Sequence, residues 1–457
     1  MAFGASVLGR GGMTPGCAVP LRSGVSGGAE KHLQGIMRAQ PEPHGRSGGR
    51  VAVEDPGGKA RFGELFAVGE FRALWFAQIG SVLGDQLARV ALTLQVYGRT
   101  HSALLAAVTF AASVVPVFVG GVLLSGLADR FPRRRVMIAC DIIRMALVLA
   151  MILPRLPTAL LVALLFAVTM TGVPFTSARA AIYPDVLDGD LYVLGTATTL
   201  TTYQFAQVLG LALGGAAVSL AGFQGALIAD AVTFAISALI TGLWVQPRPA
   251  AQPSEAAPPS RASGLLAGLR LVFGVPALRT PMLLGWLAAF YNAPEAIAAP
   301  LAAGLGASAA GVGLILASEA LGASVGAVAF SRLVSPARRI GWMRPLAIAS
   351  CATLTAFALR PDFQVALVIL FAAGLCDCYQ IAAVTLFVRA TPESQRGRAF
   401  GLAQAGMSLG QGSAMILVGA AAQRHAPATV VAIAGAVGVV AAILITARHF
   451  TGRSPTR

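Results

Sequence analysis

Two long apolar runs, residues 103–124 and 136–153, flank a short and strongly charged loop. Each run has about the 20 residues that an α-helix needs to cross a lipid bilayer. The loop between them, residues 125–135, carries five charges in eleven residues, and four of these are arginines. A hairpin this short has both ends on one side of the membrane, and its arginines assign that side to the cytoplasm. The sequence therefore predicts a helical membrane hairpin.

The remainder of the chain repeats this pattern of apolar runs. Of its 457 residues 56% are hydrophobic and 12% are charged, whereas soluble domains have about 25% charged residues. We predict an all-α polytopic membrane protein with twelve transmembrane helices in two six-helix pseudo-repeats. The predicted spans are residues 72–97, 103–124, 136–153, 158–178, 192–218, 223–245, 280–302, 307–330, 345–359, 363–388, 398–422 and 427–447.

The segments between and around these runs define the predicted divisions of the chain. These are a disordered cytoplasmic N-terminal tail (1–65), an N-terminal six-helix half (66–245), a cytoplasmic linker with a surface helix (246–279), a C-terminal six-helix half (280–447) and a cytoplasmic tail (448–457). A short surface helix is also predicted at 63–70.

The net charge of +15 first raises the question of a nucleic-acid partner. If both termini lie in the cytoplasm, however, the arginine-rich loops and tails are also cytoplasmic, as the positive-inside rule requires. We therefore exclude nucleic acid and place both termini in the cytoplasm. Neither of the two lysines, Lys31 and Lys59, precedes Ser or Thr, so no P-loop for ATP is present.

Ionisable residues within the predicted spans are the candidate substrate or proton-coupling residues, because a charge in the membrane is costly. Asp85 and Arg89 are four apart in the first span, with Gln86 beside them, so they are expected to share a helix face and neutralise each other. This pair is either a structural ion pair or a coupling site that faces a central cavity.

Four further carboxylates in the spans have no basic residue within a helical turn; they are Asp230, Glu295, Glu319 and Asp377. Each is expected to be protonated, paired across helices or exposed to water. Our first choices as proton carriers are Asp85 and Glu295, while a purely structural role stays open for the others. The full candidate set is Asp85, Gln86, Arg89, Asp230, Tyr291, Asn292, Glu295, Glu319 and Asp377.

The seventh span contains two prolines, Pro294 and Pro300. Proline interrupts the hydrogen-bond ladder of a helix and frees carbonyl groups beside Asn292 and Glu295. Broken helices near the membrane midplane often form transporter sites. The alternative interpretation of a polar side chain such as Tyr or Gln in these spans is that it only bridges two helices and binds no substrate.

The charged loop resembles a known motif. Residues 127–130, Arg133 and Arg134 match the pattern G-x-L-A-D-R-x-G-R-R, while Ser125 and Pro132 replace its two glycines. This pattern is typical of the loop between the second and third helices of the major facilitator superfamily. Residues 74–86 also resemble the first helix of the branch with enterobactin-type siderophore exporters and macrolide efflux pumps.

The resemblance implies a cytoplasmic gate. Asp129 would face the start of the eleventh helix, near residues 397–399, where it meets a helix N-terminus. Asp141 and Arg144, at the start of the third span, are assigned to the same gate. The candidate gate residues are Ser125, Leu127, Asp129, Arg130, Arg133, Arg134, Asp141, Arg144, Arg396 and Arg398.

Residues 210–215 resemble the antiporter motif of this superfamily, except that Leu211 replaces its proline. The Gly210/Gly214 and Gly322/Gly326 pairs have the GxxxG spacing that lets helices pack closely.

The resemblance implies a secondary active transporter that works by alternating access. We expect proton-coupled export of a small amphipathic organic compound, such as a drug, a siderophore or a secondary metabolite. An importer or lipid flippase of the same fold is the alternative, and a non-transporting membrane scaffold is an alternative of another class. We expect a monomer in the plasma membrane with lipid, a small-molecule substrate and protons as partners, without enzymatic activity, cofactor or metal.

Overall fold

The structure, a computed structural model, describes residues 61–124, 127–248, 272–392 and 395–450, and every regular element in these ranges is a helix. The helices of the N-terminal half are α1 (Phe62–Ala67), α2 (Gly69–Thr100), α3 (Ala103–Ala111), α4 (Val115–Leu123), α5 (Leu127–Arg130), α6 (Arg133–Met151), α7 (Thr158–Val186) and α8 (Gly189–Trp244). The predicted tail up to residue 60 and most of the predicted linker lie outside the described residues.

The C-terminal half begins with a span that is divided into short helices. Its helices are α9 (Pro276–Trp286), α10 (Ala288–Tyr291), α11 (Ala293–Ala296), α12 (Ala298–Gly304), α13 (Ala309–Leu333), α14 (Pro336–Leu354), α15 (Phe363–Cys376), α16 (Tyr379–Ala390), α17 (Arg396–Ala422) and α18 (Pro427–Phe450). A 3₁₀ turn at Thr355–Leu359 extends α14.

Helix α8 is two spans that meet at Gly222, where the backbone has φ +70°. A positive φ is accessible to glycine at little cost. Before this point the chain runs parallel to α2, since Gly195 lies against Phe71 and Gly214 lies against Val90. After it the chain runs antiparallel to α2, since Asp230 lies against Gly84 and the Gln246 amide, further along the chain, donates to Glu70 at the start of α2. The predicted separation of the fifth and sixth spans is therefore confirmed.

Eight helical stretches in the described part of the chain are long and apolar enough to cross a membrane. One of them is α8, which contains two spans. The three remaining spans are α2 and α6, which carry charged side chains, and the divided helix 276–304. The chain is thus a multi-pass membrane protein, and its described residues contain twelve helical spans in two six-helix halves. Large apolar side chains along the spans are exposed, for example Val368 (67%) and Leu417 (70%), as a surface in contact with lipid requires.

The seventh span is broken as its prolines predict. The backbone leaves the helical region at Asn292 (ψ 8°) and at Ile297 (ψ 27°), so α10, α11 and α12 are separate short helices. Pro294 occupies the first turn of α11, where a missing N–H is tolerated. This break places Asn292 and Glu295 on a short, irregular segment.

The two halves meet at the end of the bundle that carries the loops around residues 101, 222 and 306, here called the far end. A Cβ atom on Gly215 of α8 would lie 2.5 Å from the carbonyl oxygen of Ala309 and 2.9 Å from the amide nitrogen of Gly313. Near the same end Gly419 of α17 packs against the start of α3. The Gln423 Oε1 atom accepts hydrogen bonds from the Ser102 hydroxyl (3.3 Å) and the Leu104 amide (3.2 Å).

The predicted GxxxG pairs pack helices within each half. Gly210 and Gly214 lie against α2, and Gly322 and Gly326 lie against the backbone of α15.

At the opposite end of the bundle, here called the terminal end, ion pairs connect segments of the N-terminal half to one another. Arg248 donates to both carboxylate oxygens of Glu70, at 2.5 and 3.0 Å. Arg133 pairs with Asp185 at 2.7 Å. The hydrogen bond to Glu70 raises the pKa of Arg248 above its usual value.

Candidate functional site

A cavity of about 580 Å³ lies between the two halves. In the N-terminal half its walls come from α2, α3, α4, α6, α7 and both arms of α8. In the C-terminal half they come from the divided seventh span, α13 and α17. A volume of this size accommodates a small organic molecule.

An ion pair between Asp85 of α2 and Arg144 of α6 lies on the cavity wall. The Arg144 Nη2 atom donates to both carboxylate oxygens, with Oδ2 at 2.6 Å. Its Nη1 atom donates to the Ser81 hydroxyl at 3.1 Å. The expectation that Asp85 pairs with Arg89 is wrong, because the partner comes from another helix.

Arg144 is predicted to belong to the cytoplasmic gate; its described contacts lie beside the cavity, and its part in the gate stays a prediction. Its guanidinium stacks on the Phe234 ring, 4.1 Å from the ring centroid. Its Nη1 atom lies 3.9 Å from the Asp141 Oδ1 atom. Asp141 itself is fully buried and accepts a 2.6 Å hydrogen bond from the Ser237 hydroxyl. Both residues thus belong to the charged core beside the cavity.

Asp230 belongs to the same region from the second arm of α8. Its side chain is fully buried beneath Gly84 of α2, yet it contributes to the cavity wall. The Thr233 hydroxyl lies 3.5 Å from its Oδ1 atom, and its Oδ2 atom has no hydrogen-bond partner within the described residues. A buried polar atom without a partner is costly, so this wall favours water or a ligand nearby.

Arg89 faces the cavity one helical turn beyond Asp85. It lies over the Phe110 ring, with 5.5 Å between the guanidinium carbon and the ring centroid. Its Nε atom has no hydrogen-bond partner in the described part of the chain. Glu295 of the opposite half lies within electrostatic range of Arg89 and lines the same cavity.

The C-terminal half contains a second polar cluster, which is buried outside the cavity wall. The Tyr291 hydroxyl donates to Asp377 and accepts from Gln380. Glu319 is 6% exposed and within electrostatic range of Glu295 and Asp377. The predicted candidates therefore separate into two groups. Asp85, Gln86, Arg89, Asp230, Asn292 and Glu295 line the cavity, whereas Tyr291, Glu319 and Asp377 do not.

Several cavity residues were missed as candidates. Arg179 of α7 lines the cavity, and its Nε atom lacks a hydrogen-bond partner among the described residues. In α17, Gln404, Ser408 and Gln411 present polar groups to the same space. Their spacing of four and three residues places them on one helix face, and this was a signal available in the sequence.

The gate motif is described only in part. Ser125 and the side chains of Asp129, Arg396 and Arg398 lie outside the described residues, so the gate contact stays a prediction. Leu127 and Arg130 are exposed. Arg133 donates to the Ala181 carbonyl at 2.8 Å as well as to Asp185, and Arg134 donates to the Gly242 carbonyl. These two arginines hold α6 to α7 and α8 within one half.

Within the described residues, no group of three or more His, Cys, Asp or Glu side chains is arranged to hold a metal ion.

Twelve spans in two halves, with a polar cavity between them, define a membrane transporter of the two-repeat type. The family model of the Major Facilitator Superfamily matches residues 74–296 and 290–457. The chain belongs to this superfamily.

Its relatives include exporters. An enterobactin exporter from Citrobacter koseri is 28% identical over 390 residues, which cover 82% of this chain and 90% of the relative. The enterobactin exporter of Escherichia coli strain K12 is 28% identical over 405 residues, which cover 84% of this chain and 94% of the relative.

Solved structures share the fold. A bacterial homologue of the iron transporter ferroportin, in an inward-facing state, has a TM-score of 0.62 at 15% identity and covers 85% of this chain and 100% of its own. A POT family transporter in complex with 5-aminolevulinic acid has a TM-score of 0.67 at 11% identity, and the match covers 85% of this chain and 97% of the transporter's chain.

Proposed function

We propose that this protein exports a small amphipathic organic compound in exchange for protons. The observation that carries the proposal is the cavity between the halves, whose wall holds the Asp85–Arg144 ion pair and carboxylates from both halves. An exchanger needs groups that take up and release protons where the substrate binds. Carboxylates in a water-poor site beside a cavity meet this need.

Alternating access requires that the halves separate at one end while they close at the other. The far-end contacts around Gly215 and Gln423 join the two halves through backbone and a few polar atoms. Val90, Phe110 and Leu211 of the N-terminal half also share a buried apolar cluster with the C-terminal half, so opening of the far end exposes part of this cluster. The gate at Asp129 and residues 396–398 is proposed to close the terminal end when the far end opens.

The expected topology places the terminal end, and with it both termini, in the cytoplasm. The positive-inside rule supports this placement, because the arginines of residues 130–135 lie at that end. We further propose a monomer in the plasma membrane of the cell. The export direction is supported by the enterobactin exporters, which are 28% identical over most of their length.

The test uses purified protein in liposomes with an imposed proton gradient and a pH-sensitive dye inside. Siderophores, macrolides and lipophilic cations are added one at a time. We expect one compound class to dissipate the gradient, and Asp85→Asn or Glu295→Gln to abolish this flux. Asp362→Asn is the matched control, because Asp362 caps α15 at an exposed position outside the cavity.

The same assay separates the alternatives. Transport without proton flux would contradict the exchange mechanism and would favour a facilitator or flippase. Absence of any transport, together with tolerance of both neutral substitutions, would favour a membrane scaffold.

A further inference from the structure

Arg144 has one carboxylate partner in place and a second one close by. Its bond to Asp85 is bidentate, whereas Asp141 Oδ1 is 3.9 Å from Nη1. One buried atom of each side chain, Arg144 Nε and Asp141 Oδ1, has no hydrogen-bond partner in the described residues. An unsatisfied buried donor and an unsatisfied buried acceptor in two neighbouring side chains indicate that a second arrangement of this pair is available.

The two aspartates differ in their access to water. The Asp85 side chain is 31% exposed, whereas the Asp141 side chain is 0% exposed and is held by Ser237. A proton that enters the cavity therefore reaches Asp85 first. Among the described residues that line the cavity, Arg144 is present and Asp141 is not.

Protonation of Asp85 would remove the charge that balances Arg144. A guanidinium without a counter-ion inside the membrane is strongly unfavourable. A movement of about 1 Å brings Nη1 from its present position to a charge-assisted hydrogen bond with Asp141. The Phe234 ring makes a cation–π contact with the guanidinium, which, unlike a hydrogen bond, does not fix the direction of its N–H groups.

Other charged groups face this pair but are less well placed to replace either aspartate. Asp230 acts on Arg144 from α8, and Arg179 acts on Asp141 from α7. In the described part of the chain, only Asp85 and Asp141 are within ion-pair distance of Arg144.

We propose that Arg144 exchanges carboxylate partners, pairing with Asp85 when Asp85 is ionised and with Asp141 when Asp85 is protonated. This inference rests on the proposed proton coupling and assigns Asp141 as a positioning residue for it. Ser81 and Asp85 both lie on α2, so the exchange releases α2 from α6. Protonation of Asp85 from the cavity thereby allows the first span to move.

The test measures the separation of α2 and α6 without any substrate. Spin labels are placed at the exposed positions Gly98→Cys and Leu149→Cys, with the native cysteines replaced by serine, and the distance distribution is recorded as a function of pH. We expect a second distance at low pH. Asp85→Asn should show that distance at every pH.

Asp141→Asn should lower the midpoint of this change by about one pH unit, because the protonated state loses its partner for Arg144. Asp230→Asn is the matched control, since it changes a neighbouring carboxyl group that is not an ion-pair partner of Arg144, and its shift should be smaller. Asp141→Glu should restore the response. Equal shifts for Asp141→Asn and Asp230→Asn would overturn the proposal.

Thermal unfolding of the same variants in detergent gives a second measurement. The double variant Asp85→Asn/Asp141→Asn should lose more stability than the two single losses added together, because either aspartate alone can hold Arg144. Additive losses would contradict partner exchange. A pH-dependent distance without proton flux in liposomes would refute the proposed exchange function and leave the switch in place.

Discussion

The contact between Gly215 and the start of α13 makes a quantitative prediction about far-end closure. In Gly215→Ala the new Cβ would lie 2.5 Å from the Ala309 oxygen, whereas ordinary contacts begin at 3.4 Å. The neighbours are backbone atoms, so α8 and α13 must move apart by roughly 1 Å, and overpacking of this kind costs about 1–3 kcal/mol. The cost falls only on the state with a closed far end.

A cost of about 1–3 kcal/mol corresponds to a shift of roughly 5- to 150-fold in the equilibrium between closed and open far ends. Spin labels at Leu220→Cys in the first half and His425→Cys in the second half report this equilibrium, since both positions are exposed near the far end. We expect a longer distance to gain population in Gly215→Ala.

Gly410→Ala is the control for this prediction. Gly410 lies in α17, and a Cβ atom there would meet nothing within 4 Å. Its distance distribution should match that of the unsubstituted protein. If Gly215→Ala also leaves the distribution unchanged, the contact does not hold the far end closed and the reasoning is refuted.

Three other substitutions test separate parts of the structure. Tyr291→Phe removes a buried hydroxyl that serves two polar partners, and we expect about 1–3 kcal/mol lower unfolding free energy, seen as a lower thermal midpoint in detergent. Arg248→Gln should cost about 0.2–1 kcal/mol, with a smaller loss at high salt, because the ion pair with Glu70 is partly exposed. Since the pKa of Arg248 is raised, this contribution is fully present at neutral pH and is lost only as the pH rises through that value. Gln423→Ala should increase far-end opening in the spin-label assay, by less than Gly215→Ala, because it removes hydrogen bonds rather than adding a clash.

The spans were predictable because apolar length is a local property of the sequence. The predicted run 103–124 corresponds to α3 and α4, and the division between them at residues 112–114 precedes Pro116. The breaks around Asn292 followed from the prolines of the seventh span. The helices nevertheless extend beyond the predicted spans, as α7 does to Val186, because polar residues continue a helix after the apolar run has ended.

Residues of the site could be predicted from the sequence only where the pattern that identifies them lies within one helix. Asp85 was identified as a charge within a span, but its partner was sought four residues away on the same face. Arg144 is 59 residues distant in sequence, and the two meet only because the fold places α2 and α6 close enough for the Arg144 side chain to reach α2. The same limit explains the assignment of Asp141 to the gate, since its bond to Ser237 spans 96 residues.

The most direct test of proton exchange is an equilibrium measurement in liposomes that contain oriented protein. Using the compound that dissipates the proton gradient, the accumulation ratio across the membrane is measured while the pH difference is varied at zero membrane potential. For a one-to-one exchange the ratio should change about tenfold for each pH unit, and Asp85→Asn should abolish the dependence. A ratio that stays at one for every pH difference, with transport still occurring, would contradict the account.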